Sequence, residues 1–527
     1  MPTHLRVYLP AMSGRFYITT PIYYPNGEPH LGHVYTTLAA DVLARYHRLH
    51  GDAVRFLTGT DWHGIKMVKS AEEKKTTPQA LAEINDKAFV DFWAELKVTN
   101  DDYIRTSEPR HVASVTKIVE TMLAKGDIYL GAYEGWYDEG QEEFITETEA
   151  KAAEYKSAVS GRALTRYKEA TYFFKLSKYV DQVYAAIESD CIRLLPASRK
   201  NEVLSKLKGW TADLSISRST LKWGVPMPND PDHVLYVWID ALSNYVTALG
   251  YNTADDANFK AFWPADVHVI GKEILWFHAV YWPAMLISLG LDLPRTLYAH
   301  GWWTSEGRKM SKSLGNFIDQ AAIRAAVDRY ALDGVRYYLL RAAPFGADLD
   351  WKEAELAAAY TELGNVVGNL LNRVINMVGK YREGRQPQPG PQAADGGADA
   401  ALTAAMADYP RALTTAYENF ELQRAALLPV ELARAANTFI DAAAPWKLAK
   451  DPAQAAALDR VLHLCVNASS AALAGLLPIL PDKAAAGLKQ LGIDPTGRSF
   501  DDLLTTPVPS GQPLGPGEVL FPRPEKP

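Results

Sequence analysis

Short apolar runs alternate with turns and helical stretches in the first part of the chain. Residues 15–20 (RFYITT) predict a buried strand, and residues 25–29 (PNGEP) predict a turn. From residue 30 to Gly51 the apolar side chains follow helical spacing, and residues 53–59 (AVRFLTG) predict another strand. Strand, turn, helix and strand make a βαβ unit, so we expect a parallel sheet.

A similar pattern returns further along the chain. Residues 233–240 (HVLYVWID) and 266–271 (DVHVIG) are apolar, strand-like runs that each lead toward a helix. Between the two halves, residues 118–225 are rich in charge and tyrosine, which indicates a separate inserted module. We therefore expect one α/β domain whose sequence is interrupted by an insertion.

After residue 355 the pattern becomes Ala/Leu-rich with helical spacing. Residues 363–381 and 430–450 are examples, and together they predict an all-α domain over residues 356–482. Residues 384–400 (GRQPQPGPQAADGGADA) predict a disorder-prone linker between its first two helices. Residues from about 496 to 527 are Pro/Gly-rich and predict an extended tail.

Composition narrows the class of protein. A chain of 527 residues with 48% hydrophobic content predicts two to four domains, and no apolar run approaches the ~18 residues of a membrane span. The start of the chain does not predict a signal peptide. Cys191 and Cys465 are the only cysteines, which excludes a disulfide framework and a Cys-rich zinc site and fits a reducing, cytosolic compartment. The net charge of −7 argues mildly against an RNA partner, although a local basic patch can still bind phosphates.

His30-Leu31-Gly32-His33 stands where the first predicted strand turns into the first predicted helix. A helix N-terminus offers unpaired N–H groups and a partial positive charge, and phosphates bind there readily. Two imidazoles one turn apart add hydrogen-bond donors, and Gly32 leaves room for a nucleotide to approach. Alone, this motif is weak evidence, because two surface histidines near a helix start are common.

Lys309-Met310-Ser311-Lys312-Ser313 lies in the Gly-rich segment EGRKMSKSLGN. Two lysines and two serines within five residues suit a clamp on triphosphate oxygens. Five fixed residues arise by chance in a chain of this length with a probability on the order of 10⁻⁴. A simple solvated charge run is therefore a weak explanation of this segment.

The pair of motifs resembles class I aminoacyl-tRNA synthetases, and the resemblance covers residues from about 14 to 480. It implies an α/β fold with a Rossmann-type parallel-sheet catalytic domain split by a connective insertion, followed by a helical-bundle anticodon-binding domain. It also implies ATP with Mg²⁺ as the nucleotide substrate. His30 and His33 would act at the α-phosphate, and Lys309 and Lys312 at the β- and γ-phosphates.

The resemblance sets the expected domain boundaries. They are residues 1–117 for the first half of the catalytic domain, 118–225 for the connective insertion, 226–312 for the second half, 313–355 for the KMSKS loop and stem-contact region, 356–482 for the anticodon-binding domain and 483–527 for the tail.

Several stretches look like the methionine-specific family within this class, among them residues 20–33, 59–64, 215–228, 236–245, 271–286 and 363–373. By position, the resemblance implies a methionine site of Ile22, Tyr24, Asp61, Trp238, Ala241, Leu242, Tyr245, Ile274 and His278, in which Asp61 holds the ammonium. It implies an ATP site of His30, Gly32, His33, Gly271, Glu273, Lys309, Met310, Ser311, Lys312 and Ser313. A thioether suits a soft, aromatic, apolar cavity, and a buried ammonium needs one anion.

Four positions depart from the family pattern. Trp62 follows Asp61 where Glu is usual, and Glu273 stands where a shorter Asp commonly contacts the ribose of ATP. In the insertion, Asp138 and Gln141 occupy the positions of a common C-x-x-C zinc knuckle. We therefore expect no structural zinc and a knuckle held by packing. The insertion is also too short for a large editing domain.

The resemblance implies methionine tRNA, including the initiator, as the partner. Asn369, Arg373 and Trp446 resemble the residues that contact a CAU anticodon, where aromatic stacking and hydrogen bonds read splayed bases. Dimers in this family commonly depend on an extra C-terminal domain, and because the chain ends at Pro527 after a short Pro-rich tail with no room for one, we expect a monomer. The two cysteines favour the cytoplasm.

Other functions stay open at this point. One is a class I synthetase for another amino acid, although the length and the missing thiols disfavour the cysteine, leucine, isoleucine and valine enzymes. Another is a catalytically silent RNA-binding paralogue, which would have no need of both motifs. A third is a small-molecule adenylating enzyme, which would not need the helical domain.

Overall fold

The computed structural model describes residues 14–138, 143–145, 147–158, 160–236, 238–305, 307–310, 316–390 and 399–524. The chain forms two compact units. One contains residues Met1–Ala40 and Ala53–His300, and the other contains Asp41–Asp52 and Gly301–Pro527.

The first unit holds most of the strands. They are β1 (Arg15–Tyr23), β2 (Ala53–Thr60), β3 (Asp102–Arg105), β4 (Ile128–Asp138), β5 (Glu143–Ile145), β6 (Thr165–Phe174), β7 (Arg193–Leu195), β8 (Leu214–Ser215), β9 (Ser217–Arg218), β10 (Pro226–Met227), β11 (Asp230–Leu235), β12 (Val267–Gly271) and β13 (Thr296–His300). Its helices are α1 (Leu31–Leu49, shared with the second unit from Asp41), α2 (Ile65–Glu73), α3 (Pro78–Glu95), α4 (Pro109–Ala124), α5 (Glu147–Ala152), α6 (Val180–Glu188), α7 (Ala197–Leu207), α8 (Trp238–Thr247), α9 (Ala257–Phe262) and α10 (Trp282–Leu289), with a π-helical segment at Phe277–Tyr281.

The centre of the first unit is a six-stranded sheet in the order β3-β2-β1-β12-β13-β7, and every neighbouring pair is parallel. Strand β1 is buried along almost its whole length, as expected for a strand covered on both faces. The predicted parallel α/β sheet is thus confirmed. Because β1 and β2 are parallel neighbours, their carboxyl ends bring the loops after Tyr23 and Thr60 to one edge, where such sheets bind ligands.

Two strands differ from the sequence expectation. The apolar run at 233–240 does not join the parallel sheet, because β11 pairs antiparallel with β10 and β9. A tight turn at Asn229, with φ of 66°, joins β10 to β11, and a turn this short can connect only antiparallel strands. The sixth parallel strand is instead β7, three residues from within the segment 118–225. Four other strands of that segment form the antiparallel sheet β5-β4-β6-β8, and β9 joins the sheet of β10 and β11.

The second unit is mainly helical. Its strands are β14 (Trp303–Ser305), β15 (Arg308–Lys309) and β16 (Leu349–Trp351). Its helices are α11 (Gln320–Arg341), α12 (Glu353–Leu363), α13 (Asn369–Arg382), α14 (Asp399–Glu418), α15 (Leu422–Ala443), α16 (Pro445–Leu448), α17 (Ala455–Leu476), α18 (Pro481–Gln490) and α19 (Phe500–Thr505), with a π-helical segment at Gly364–Gly368.

Helix α17 forms the centre of the helical bundle. It is buried from Leu464 to Leu476 and packs against α13, α14, α15, α18 and α19. The predicted all-α domain is therefore confirmed. In the part of the chain that the structure describes, no helix combines the length and apolar character needed to cross a membrane.

The Pro/Gly-rich end of the chain is packed against this bundle, although the sequence predicts an extended tail. Phe500 and Phe521 are buried, and the hydroxyl of Tyr360 donates to the carbonyl of Pro522 (3.0 Å). Apolar residues spaced between the prolines give the segment a surface to bury. Of the predicted linker, residues 391–398 lie outside the described part, and Gln386 before them is buried.

Candidate active site

The histidine motif forms the first turn of α1, directly after the turn that follows β1. The rings of His30 and His33 stack with centroids 3.7 Å apart. A Cβ on Gly32 would lie 3.1 Å from Cε1 of His30, so a residue without a side chain is what lets the His30 ring sit here. The ring of His33 also lies against Tyr23, with centroids 4.6 Å apart.

Hydrogen bonds define the tautomers of these two histidines. The N–H of Gly32 donates to Nδ1 of His30 (3.1 Å), and the N–H of His30 donates to Nδ1 of His33 (3.3 Å). A neutral imidazole that accepts at Nδ1 carries its proton on Nε2. Burial, together with nearby His30, lowers the pKa of His33 well below its usual value, which favours the neutral ring. Each ring therefore offers an Nε2–H, the donor that a phosphate oxygen requires.

Helix α8 and the π-helical segment bring together most of the predicted methionine pocket. Trp238 stacks on Phe277 with centroids 3.7 Å apart, and His278 lies edge-on to Trp238 at 6.4 Å. Ala241 and Leu242 are buried on the same helix as Trp238. Ile22 and Ile274 pack against the same hydrophobic core as Trp238. Tyr24 and Trp238 pack against one apolar cluster, formed by Tyr137, Leu221, Val234 and Tyr236.

Tyr245 and His278 form a buried pair in this pocket. Nδ1 of His278 lies 2.9 Å from the carbonyl of Ile274 and therefore carries the proton. Its Nε2 then accepts the hydroxyl proton of Tyr245 at 2.7 Å. Burial lowers the pKa of His278 to about 4, so the ring is neutral at pH 7 and fixes the direction of the Tyr245 hydroxyl.

Asp61 is held at the carboxyl end of β2. Its N–H donates to the carbonyl of Tyr23 (2.8 Å), and its Oδ1 accepts from the N–H of His63 (3.1 Å) and the hydroxyl of Thr106 (3.1 Å). Its side chain is buried. A buried carboxylate beside an apolar pocket is the feature that an ammonium group needs.

A buried charged network, which the sequence did not reveal, adjoins Asp61. Asp240 receives one proton donor on each oxygen, from Nδ1 of His63 (2.7 Å) and from Nε2 of His111 (2.9 Å). Nδ1 of His111 faces the hydroxyl of Thr247 at 2.7 Å. Atoms of Asp61, His63 and Asp240 that could bind a metal come within 4.8 Å of one another, but the short contacts of His63 and Asp240 are with each other.

The electrostatics of this network favour a charged pair. Burial opposes the ionisation of Asp240, but the charge of His63 and the hydrogen bonds from His111 and His63 outweigh it, so the pKa of Asp240 is lowered. Burial also opposes protonation of His63, but attraction to Asp240 outweighs it and the pKa of His63 is raised. His63 is 177 positions and His111 is 129 positions from Asp240 in the sequence, so no local sequence pattern could have indicated these contacts.

Trp62 and Arg218 have structural surroundings that the motifs did not predict. Trp62 packs in a small apolar cluster with Met67 and Leu81, and its Nε1–H donates to Thr60 (3.0 Å). The larger side chain at this position is thus accommodated. Arg218 is buried, and its guanidinium lies 3.8 Å from the ring centroid of Tyr236.

The predicted nucleotide residues are described in part. Gly271 ends β12, and a Cβ there would lie 2.5 Å from Oε1 of Glu273, so the exposed glutamate folds back over this glycine. The backbone of Lys309 lies in β15 opposite Thr304, and Met310 is half-buried. Ser311, Lys312 and Ser313, with the side chain of Lys309, lie outside the described residues.

The predicted knuckle is a β-hairpin formed by β4 and β5. The side chain of Asp138 is buried at its end, and the indole N–H of Trp136 donates to Glu147 (2.7 Å). Gln141 lies outside the described residues. In the described part of the hairpin, Tyr137 is buried and the bond from Trp136 ties β4 to α5.

The three predicted anticodon residues belong to the helical unit. Asn369 is exposed at the start of α13. Arg373, one turn later, donates to Asn437 (3.2 Å) and pairs with Asp441 (2.5 Å), both near the end of α15. Trp446 is the second residue of α16, which follows α15 after the single left-handed residue Ala444, and it is 42% exposed while Pro445 beside it is buried. The indole is therefore not a core residue.

Comparison with known proteins agrees with this architecture. A family model for class I tRNA synthetases (M) matches residues 16–375, and one for the anticodon binding domain of methionyl tRNA ligase matches residues 390–525. The methionine–tRNA ligase of Bacillus subtilis (strain 168) is 42% identical over 530 residues, covering 98% of this chain and 79% of that protein.

Solved structures give the same result. Mycobacterium tuberculosis methionyl-tRNA synthetase in complex with methionyl-adenylate has a TM-score of 0.90 and 38% identity, covering 97% of this chain and 100% of that one. Its apo form has a TM-score of 0.84 and 36% identity, covering 97% and 99%.

The parallel sheet, the histidine motif at its carboxyl edge and the helical domain define a class I aminoacyl-tRNA synthetase. Within that class, the chain belongs to the methionyl-tRNA synthetase family. The expectations of class and family are confirmed, whereas the roles of individual site residues stay predictions.

Proposed function

We propose that this chain is a methionine–tRNA ligase, which activates L-methionine with ATP and transfers the methionyl group to methionine tRNA. The observation that carries the proposal is the buried pocket of Trp238, Tyr245 and His278 beside Asp61, in a chain matched by methionine-specific models over most of its length. The methionyl-adenylate bound to the mycobacterial relative supports the same intermediate here.

In the first step, a carboxylate oxygen of methionine attacks the α-phosphorus of ATP. The bond from that phosphorus to the bridging oxygen breaks, which gives methionyl-adenylate and pyrophosphate. We expect the Nε2–H groups of His30 and His33 to donate to α-phosphate oxygens. Lys309 and Lys312 are proposed, from their motif alone, to stabilise the leaving pyrophosphate. ATP enters as its Mg²⁺ complex, in which the metal neutralises phosphate charge.

Recognition of methionine divides into two parts. Asp61 pairs with the ammonium, and the aromatic pocket of Trp238 and Tyr245 surrounds the thioether. Since His278 holds the hydroxyl of Tyr245 in one direction, the pocket is organised before the substrate enters. Gly271 and Glu273 are proposed to contact the nucleotide.

In the second step, a ribose hydroxyl of the terminal adenosine attacks the acyl carbon of the adenylate, and AMP leaves. The helical domain is proposed to select methionine tRNA, including the initiator, through its CAU anticodon. Arg373 and Trp446 support this, because the bond from Arg373 to Asp441 ties α13 to the end of α15, five residues before the exposed indole.

Four further properties are part of the proposal. The six-segment division of the chain is proposed with two changes: β7 of the insertion joins the catalytic sheet, and the tail packs on the helical bundle. The two cysteines support a cytoplasmic location. A zinc-free knuckle is supported by buried Asp138, and metal analysis of the purified protein should find less than one zinc per chain.

A monomer is supported by exposed large apolar side chains that are spread over separate segments of the described chain, and light scattering should give a mass near 58.2 kDa.

Pyrophosphate exchange into ATP, measured with each of the twenty amino acids, tests the function. Methionine should support exchange with the highest kcat/KM. Exchange with leucine or cysteine but not methionine would overturn the assignment to methionine. Exchange with methionine but no charging of methionine tRNA would overturn the second step alone.

A further inference from the structure

The loop that carries Asp61 is tied to the helix that carries the methionine pocket. Residues Asp61 to Gly64 connect β2 to α2, and the loop turns at Gly64, where φ is 93°. From this loop the His63 ring reaches Asp240 on α8 at 2.7 Å. Helix α8 also contributes Trp238 and Tyr245. One hydrogen bond therefore joins the ammonium side of the site to its thioether side.

A second imidazole holds the other carboxylate oxygen of Asp240. Nε2 of His111, on α4, donates to the other oxygen of Asp240 at 2.9 Å, and the hydroxyl of Thr247 lies 2.7 Å from Nδ1 of His111. Asp240 and His111 are fully buried, and His63 is 6% exposed. With each oxygen held by a ring, the carboxylate of Asp240 has one defined orientation.

The charges of the cluster suit a cationic substrate. Asp61 and Asp240 are two buried carboxylates, and His63 lies between them, with its ring on Asp240 and its backbone N–H on Asp61. An imidazolium at His63 balances one carboxylate and leaves the other for a second cation. The ammonium of the amino acid is the cation that completes the balance.

We propose that Asp240 is a positioning residue for the amino acid, which acts through His63 to hold Asp61 where it meets the substrate ammonium. The proposal rests on the methionine-activating function proposed above. It predicts that the network affects methionine binding and leaves ATP binding alone, because no member of it belongs to the proposed nucleotide site.

The experiment is pyrophosphate exchange with the full chain as Asp240→Asn, His63→Gln and the double variant. Each single variant should raise the methionine KM by about tenfold or more, since small misplacements of a binding group are costly, with the ATP KM within about twofold of wild type. Because the two residues act in series, the double variant should be no worse than the worse single variant. Effects that multiply in the double variant would contradict action through His63.

A matched control separates positioning from folding. Asp127→Asn also alters a buried carboxylate, one that accepts from Tyr179 (2.6 Å) and Ser288 (2.8 Å). It should lower the unfolding temperature and leave the methionine KM unchanged. If Asp240→Asn does not fold, the methionine KM of His63→Gln tests the proposal alone. An unchanged methionine KM in His63→Gln overturns the proposal. Absence of methionine-dependent exchange in the wild-type chain would instead refute the proposed function.

Discussion

Two tryptophans show how differently the two proposed recognition regions of this chain are constructed. Trp238 stacks on Phe277 at 3.7 Å, and its Nε1 is buried without a hydrogen-bond partner among the described residues. Trp446 is 42% exposed on a four-residue helix. The first indole is packed against its own protein, whereas the second is open to solvent and is proposed to stack on an anticodon base.

The difference reflects the size of the proposed ligand. Methionine is small enough to be enclosed, so its pocket requires a fixed core, as the pair of Tyr245 and His278 provides. An anticodon is read by bases that stack on exposed rings, so its site requires a supporting frame under an open surface. The bonds from Arg373 to Asn437 and Asp441 supply such a frame. The two regions should therefore be separable by mutation.

The largest effect is expected in neither recognition region but in the KMSKS motif. Lys312→Ala should lower kcat of pyrophosphate exchange by about 10²–10³-fold, because the lysine meets charge that develops on the leaving pyrophosphate. Lys309→Ala should act in the same way. Methionine affinity, measured by equilibrium binding, should stay within about threefold. Unchanged turnover in both variants would refute this role.

The second-largest effect is expected for Trp238 in the methionine pocket. Trp238→Ala should raise the methionine KM by roughly 10–100-fold, since the partly buried indole would lose an apolar contact with the substrate worth on the order of 1.5–3 kcal/mol. Exchange kinetics at saturating ATP measure this. The change should appear in both exchange and charging, because both need bound methionine. An unaltered methionine KM would show that Trp238 is core packing rather than pocket.

The exposed indole should affect one activity only. Trp446→Ala should lower kcat/KM for charging of methionine tRNA by about 10–100-fold, as expected for the loss of one stacked base. Exchange without tRNA should stay nearly intact, and the unfolding temperature should barely change. Ala449, exposed in the same segment, offers a control: Ala449→Ser should alter neither activity.

The smallest effect concerns the stability of the helical unit. Burial, opposed by the backbone N–H of Lys483 and by Arg336, raises the pKa of Asp333 to about 6. A raised carboxyl pKa favours the protonated folded state, so this group costs stability as pH rises from about 4 to about 6. Asp333→Asn removes that cost. The unfolding temperature of Asp333→Asn minus that of wild type should be a few degrees larger at pH 7.5 than at pH 4.5. An equal difference at both pH values would contradict the assignment.

The sequence predicted best what local patterns encode. Residues 30–33 could be placed at a strand-to-helix turn because strand and helix periodicity meet there. The parallel sheet followed from the same reasoning. Strand β7 could not be foreseen, because three residues are too few to show a period. Strand β11 was assigned to the wrong sheet, because an apolar run does not reveal its pairing partner.

The site shows the same limit. Sequence motifs and the family resemblance identified Asp61 and His30 as candidates. The network of His63, Asp240 and His111 joins residues on three separate elements that only the fold brings together. The prolines of the tail likewise predicted an extended segment, although Phe500 and Phe521 are buried and the tail packs against the bundle. What the sequence could not supply was long-range contact, on which the proposed positioning of the substrate depends.

If amino-acid recognition and tRNA recognition reside in separable regions, exchange and charging measured side by side for Trp238→Ala and Trp446→Ala should respond differently. Trp238→Ala should lose both activities at subsaturating methionine, while Trp446→Ala should lose charging and keep exchange. A parallel loss of both activities in Trp446→Ala would contradict this separation.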